Sequence, residues 1–252
     1  MQSVTRIVGA ALILCTACPM ASAEDFTGPG GVIPEPTGGR PGVFTSDVNV
    51  ATGGTVTGIA VSLNGIVHTW VGDLTVTVEH LPTGTSATLF SRVGKTSAST
   101  GVGDSSNLAG DYVFFDGAPG DLWMAAASGD TGFDIPSGSY FPSEPLTGLP
   151  SPIDPVFIGL NASGTWRLTI TDKGLQDIGS IDTWTLSLEI DGATCPAQCF
   201  GDINGDGIVD GADLGELLGA WGSNNPCIDL NGSGDVDGAD LGLLLGAWGV
   251  CE

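Results

Sequence analysis

Twice near its C-terminal end the chain repeats one pattern of oxygen-bearing residues around a glycine. The first copy is Asp202-Ile203-Asn204-Gly205-Asp206-Gly207-Ile208-Val209-Asp210-Gly211-Ala212-Asp213; Asp229, Asn231, Ser233, Asp235, Asp237 and Asp240 repeat it 27 residues later. The side-chain oxygens fall at loop positions 1, 3, 5, 9 and 12, Gly207 and Gly234 stand at the sharp turn of position 6, and position 7 offers a backbone carbonyl. A hard cation needs six to eight oxygens around one point, and this spacing folds them inward. The expected ligands of two Ca2+ ions are therefore Asp202, Asn204, Asp206, the carbonyl of Ile208, Asp210 and Asp213, then Asp229, Asn231, Ser233, the carbonyl of Asp235, Asp237 and Asp240. Ser233 replaces a carboxylate of the first loop, so the first loop is expected to bind more tightly.

Each loop feeds an amphipathic segment, Leu214, Leu217, Leu218 and Trp221, then Leu241, Leu244, Leu245 and Trp248. The apolar spacing is that of one helix face, so these stripes are expected to pack on each other with Trp221 and Trp248 in the core between them. Gly215 and Gly219 each cost about 1 kcal/mol relative to Ala inside a helix. A module this small is expected to draw part of its stability from calcium and from disulfides.

The start of the chain leads to the expectation of a protein outside the cytoplasm, and charge narrows its partners. Six Lys plus Arg stand against 29 Asp plus Glu, a formal charge of −23, which argues against nucleic-acid binding because phosphate contacts need cations. Residues 1–23 read as an export signal: Arg6, the apolar run Ile7 to Leu14, and the small-residue site Ala21-Ser22-Ala23. The apolar run is too short to span a bilayer, and no later segment approaches the length that would. Beyond the signal, Cys195, Cys199, Cys227 and Cys251 remain, an even number that reads as two disulfides with three possible pairings.

Residues 24–42, rich in Gly and Pro, are expected to form a linker or extended arm. Residues 43–191 then alternate: Ile59, Val61, Leu63; Leu74, Val76, Val78; Trp166, Leu168, Ile170; Trp184, Leu186, Leu188, Ile190. This is the period of strands with one buried face, separated by turn signals such as Pro82-Thr83-Gly84. The expectation is a mainly β chain, an antiparallel jelly-roll sandwich, joined through residues 192–200 to a small α-helical EF-hand-like calcium module at 201–252.

The run His68-Thr69-Trp70-Val71-Gly72-Asp73-Leu74-Thr75-Val76, followed by Leu81-Pro82-Thr83-Gly84-Thr85, Gly164-Thr165-Trp166-Arg167-Leu168, Asp172, Gly179 and Trp184-Thr185-Leu186, resembles the P domain (homo B domain) of proprotein convertases. That resemblance implies a β-sandwich that accompanies a subtilisin-like protease. The duplicated loops, with Asp at position 12 and no entering helix, resemble type I dockerins, which implies docking onto a cohesin-like protein. In that family the partner-reading positions would be Gly211-Ala212 and Gly238-Ala239 here. Leu218-Gly219 and Leu245-Gly246 stand where many dockerins carry a Lys-Arg pair.

The remaining residues hold one imitation of a catalytic set. Gly84-Thr85-Ser86-Ala87 imitates the start of the subtilisin serine motif, with Asp47 and His68 ahead of it, but these residues span strand-rich sequence with no α/β scaffold to assemble a triad. Two histidines, His68 and His80, are too few for a multi-histidine metal site. Asp73, Asp172 and Asp182 read as turn residues or a structural calcium site. The expected protein is a secreted, non-catalytic pair of modules, monomeric on its own, whose C-terminal module docks the sandwich to a protein partner. The competing reading is an accessory part of a secreted subtilisin-like protease or glycan-degrading system, and a glycan-binding sandwich is a third.

Overall fold

The computed structural model describes residues 22–99, 101–194, 199–223, 225 and 227–251. The first 21 residues, which hold most of the expected signal, lie outside these, as does Cys195.

The chain is mainly β. In order it forms β1 (Ser22–Ile33), β2 (Gly42–Val50), β3 (Gly53–His68), β4 (Leu74–His80), β5 (Thr85–Ser91), β6 (Asn107–Phe115), α1 (Leu122–Ala126), β7 (Asp134–Ile135), β8 (Gly138–Tyr140), α2 (Asp154–Phe157), β9 (Gly164–Asp172) and β10 (Gly179–Thr194). The C-terminal part adds β11 (Ile208–Val209), α3 (Gly211–Gly219), α4 (Gly238–Gly246) and β12 (Gly249–Val250). One sheet runs β1-β10-β3-β6-β7, with β8 also on β6; a second runs β2-β9-β4-β5. All pairs among β1, β10, β3 and β6 are antiparallel, as are those of the second sheet, whereas β7 and β8 run parallel to β6.

The alternating residues behave as their period demands. Ile59, Val61 and Leu63 on β3, Leu74, Val76 and Val78 on β4, Trp166, Leu168 and Ile170 on β9, and Trp184, Leu186, Leu188 and Ile190 on β10 are all buried in one core. Phe157 packs on Trp166 with ring centroids 5.1 Å apart, and Phe90 on Phe114 at 5.5 Å.

The expected linker at 24–42 is different: Ser22–Ile33 is an edge strand, paired with β10 from Ser22 opposite Ile190 to Ile33 opposite Gly179. Its glycines serve close approach. A Cβ on Gly28 would sit 2.0 Å from Trp184 Nε1, and one on Gly30 would sit 2.0 Å from the Ile181 carbonyl. Pro29 is tolerated because an edge strand can lack a ladder donor. Gly and Pro thus mark tight packing at the sheet edge, and the sandwich begins at β1. The turn residues Thr37 to Arg40 then lead into β2.

Candidate functional site

The two C-terminal loops are built alike. In the first, the backbone N–H groups of Gly205 and Gly207 donate to the two carboxylate oxygens of Asp202 at 2.9 and 3.0 Å. Asp206 N–H donates to Asn204 Oδ1 and Ile208 N–H to Asp206 Oδ1, both at 2.9 Å. Asp213, fully buried, accepts from Ile203 N–H (2.7 Å) and Asn204 N–H (3.1 Å) on one oxygen and from Asp210 N–H (2.7 Å) on the other. The second loop repeats the scheme. Asp229 accepts from Ser233 and Gly234 N–H at 3.0 and 2.6 Å, Asn231 from Ser233 N–H at 2.7 Å, and buried Asp240 from Asn231 and Asp237 N–H at 3.1 and 2.8 Å. Gly207 and Gly234 have φ of 88° and 101°, a conformation that side chains resist.

Each loop passes directly into its helix. Asp210 caps α3 and Asp237 caps α4, each in a reciprocal capping box with the position-12 aspartate. Burial alone would raise the Asp240 carboxyl, but the backbone N–H groups of Asp237 and Asn231 outweigh it and hold the group below the usual carboxylate range.

The repeats interlock. Val236 of the second loop exchanges backbone bonds with the exit of α3, accepting from Gly222 N–H and donating to the Ser223 carbonyl, both at 2.8 Å. Val209 of the first loop pairs with Gly249 at the exit of α4. Ile203, Val209, Leu217, Ile228, Val236 and Leu244 form the shared core. A disulfide joins Cys199 to Cys251, with Cα atoms 5.7 Å apart, so the entry of the first repeat is tied to the exit of the second. Cys227 is also disulfide-bonded. The Cys251 sulfur lies 3.6 Å from Asp202 Oδ2, but its thiol is consumed by the disulfide and offers no thiolate to a metal.

The expectation that Trp221 and Trp248 lie in the core is not met. They are 49% and 50% exposed, and Leu218 and Leu245 are 52% and 51% exposed. Leu217 and Leu244 fill the small interior instead. A helix of this length has room for one buried ridge, and the capping aspartates set which ridge turns inward.

At one end of the sandwich a second polar cluster is enclosed. His68 Nε2 lies 3.5 Å from Asp172 Oδ2, both side chains fully buried, and the other ring nitrogen faces the Trp70 backbone. Arg92 reaches Asp73 at 3.4 Å. Burial pushes the Asp73 carboxyl up to about 6, with Asp172 and Asp177 adding to the effect and Arg92 opposing it. Asp73 closes a short 3-10 turn, whereas Asp172 is the last strand residue of β9 and Asp182 lies within β10.

Because the folded state favours protonated Asp73, its contribution to stability is greatest below pH 4 and falls as pH rises towards 6. The variant Asp73→Asn is expected to flatten this fall, by about 2 kcal/mol between pH 4 and 7 relative to the parent chain. Urea unfolding at the two pH values measures it.

Asp47, His68 and Ser86 do not form a triad. Asp47 is held by Arg167 in a two-point pair at 2.7 and 2.8 Å, His68 faces Asp172, and Ser86 is exposed on β5. His80 bonds Thr83 and the Ser163 carbonyl and packs on Trp166. Among the described residues no catalytic domain is evident.

A strand-rich sandwich with a buried Trp core, joined to paired acidic loop-helix repeats, is the class of protein these features define. The Proprotein convertase P-domain family matches residues 154–188, from α2 through β9 into β10. This segment holds Gly164-Thr165-Trp166-Arg167-Leu168, Asp172, Gly179 and Trp184-Thr185-Leu186. No curated protein matches the chain. Solved structures that resemble it include a serine protease of Aeromonas sobria in complex with its chaperone, at 15% identity and a TM-score of 0.33, and the same protease alone, at 14% and 0.32. Each alignment covers 69% of this chain and 28% of that one. No helix among the described residues is long and apolar enough to cross a membrane.

Proposed function

We propose that this chain is an exported, non-catalytic protein in which a jelly-roll, P-domain-like sandwich is attached to a partner protein by a dockerin-like, EF-hand-like module that binds two Ca2+ ions. The observation that carries this reading is the pair of loops with the same net of carboxylate-to-backbone bonds, each capping the helix that follows it. The donor set suits a hard cation, since every candidate ligand is an oxygen. Asp202, Asn204, Asp206, the Ile208 carbonyl, Asp210 and Asp213 would hold the first ion, and Asp229, Asn231, Ser233, the Asp235 carbonyl, Asp237 and Asp240 the second. Calcium would neutralise the loop carboxylates and stiffen the segment ahead of each helix. In the second loop the Ser233 hydroxyl donates to the Asp235 carbonyl at 3.2 Å. One candidate ligand is thus engaged by another, and a charge is missing, so the second site is the weaker.

The family match over α2 to β10 supports a second reading of the sandwich, as an accessory part of a subtilisin-like protease system. The two readings are compatible, because an attached accessory domain is brought to its protease by its docking module. Cohesin-like proteins are the partner class that the resemblance to dockerins implies.

Calcium titration of the mature chain by calorimetry is expected to show two sites of unequal affinity, with far-UV circular dichroism reporting gain of helix as they fill. A chain that takes up no calcium, or whose C-terminal helices are equally ordered in chelator, would remove the reading.

A further inference from the structure

We propose that the exposed faces of α3 and α4 dock a protein partner that presents an apolar patch rimmed by lysine and arginine side chains, an inference that rests on the repeats being an attachment module. Apart from the partly buried Glu216, the helices carry no polar side chain where they meet solvent. On α3 and its exit the exposed positions are Gly211, Ala212, Gly215, Leu218, Gly219, Trp221 and Gly222; on α4 and its exit they are Gly238, Ala239, Gly242, Leu243, Leu245, Gly246 and Trp248. A surface helix normally turns charged side chains outward, and one that is apolar all round is covered by something. The same Leu and Trp recur at equivalent places in both repeats, so the exposure belongs to the repeat unit itself.

The sandwich does not cover these Leu and Trp side chains. It meets the repeats across a cleft between Asp25, Phe26, Asp47 and Val48 on one side and Glu216, Ala220, Asn225 and Ile228 on the other. Glu216 lines this cleft, where burial and Asp213 push its carboxyl up. Leu218, Trp221, Leu245 and Trp248 are absent from that lining.

Charge selects the occupant. The last Lys or Arg of the chain is Lys173, and residues 199–251 hold nine Asp plus Glu. Two calcium ions would offset only part of this charge. A second copy of the module, or an anionic membrane, would bring like charge to the same face, whereas an apolar surface with a cationic rim meets both the Leu and Trp side chains and the flanking carboxylates.

The test uses the calcium-loaded full chain and two synthetic amphipathic helical peptides of the same pattern, one of Leu and Lys, the other of Leu and Glu. Calorimetry is expected to show binding of the Leu/Lys peptide alone. The variant L218Q/W221Q/L245Q/W248Q, which alters only half-exposed side chains, is expected to weaken it at least tenfold while leaving the calcium titration unchanged; L218Q/L245Q alone should give a smaller loss. Failure of the Leu/Lys peptide to bind, or equal binding by the fourfold variant, overturns the proposal, the latter by showing that charge alone is read. Preferential self-association of the chain, or uptake onto neutral phosphatidylcholine vesicles in place of the peptide, overturns it too. Loss of the calcium signal with Leu- and Trp-dependent peptide binding intact would instead strike the calcium reading and leave the surface standing.

Discussion

The double variant D213A/D240A is expected to lose the fold of residues 199–251, and with it the calcium uptake proposed above, while the sandwich remains folded. Asp213 satisfies three backbone N–H groups from inside its loop, and Asp240 receives those of Asn231 and Asp237. Alanine leaves these donors without an acceptor in a buried setting, at about 1–3 kcal/mol for each one orphaned. The capping box of each helix goes with it, which adds about 1 kcal/mol per helix. A module with six buried hydrophobic residues in its core among the described residues has little reserve to offset such a loss. The measurement is far-UV circular dichroism with calcium titration of the double variant beside D213N/D240N. Asparagine keeps one acceptor oxygen but removes the charge, so it should retain more helix while still weakening calcium uptake. Full helix content in the alanine variant would show that the position-12 carboxylates do not organise the loops.

A second large effect is expected in the sandwich. Trp184 is fully buried, and its indole N–H donates to Ser46 Oγ at 2.8 Å, while the Ser46 hydroxyl donates to the Pro29 carbonyl at 2.6 Å. This chain of bonds ties the edge strand β1 through the core to β2 of the opposite sheet. Trp184→Ala should cost about 3–5 kcal/mol by loss of contacts and the cavity left behind. Gly28→Ala should also destabilise, because its Cβ would collide with the same indole, and Trp184→Phe should fall between the parent and the alanine variant. Equilibrium urea unfolding of the full chain, followed by circular dichroism, gives the three values. A neutral Gly28→Ala would mean that β1 does not pack against Trp184 in solution.

The strands of the sandwich were legible because alternation is a direct record of one buried face: Leu74, Val76 and Val78 could point inward together only on a strand. The likeness of the two loops was legible for a similar reason, since Asp and Gly recurring at fixed spacing record two turns closed by the same carboxylate-to-backbone bonds. The edge strand β1 was not, because Gly28 and Gly30 carry the same letters whether a glycine is free or is pressed against an indole or a carbonyl. Composition cannot separate these cases; only the neighbour across the sheet does. Trp221 and Trp248 were misplaced for another reason. The apolar period gave Leu214, Leu217, Leu218 and Trp221 as one stripe, but the interior between two short helices admits little beyond Leu217 and Leu244, and the surplus faces solvent. The visible clue was negative: neither helix has a charged residue available for its outward side apart from Glu216, which is spent on the cleft with the sandwich. The buried His68 and Asp172 are likewise distant in sequence: His68 ends β3 in one sheet and Asp172 ends β9 in the other, and they meet only where the two sheets come together.

The bond between Cys199 and Cys251 has a mechanical consequence. If a partner holds α3 and α4 while the sandwich is dragged by flow or by a substrate, the load enters the repeats at residue 199. Without the crosslink it would peel the first loop away from the exit of α4 one hydrogen bond at a time. With the crosslink, the tension is shared at once by both ends of the chain segment, and the interlocked loops must be sheared together, as a buckle resists where a zipper yields.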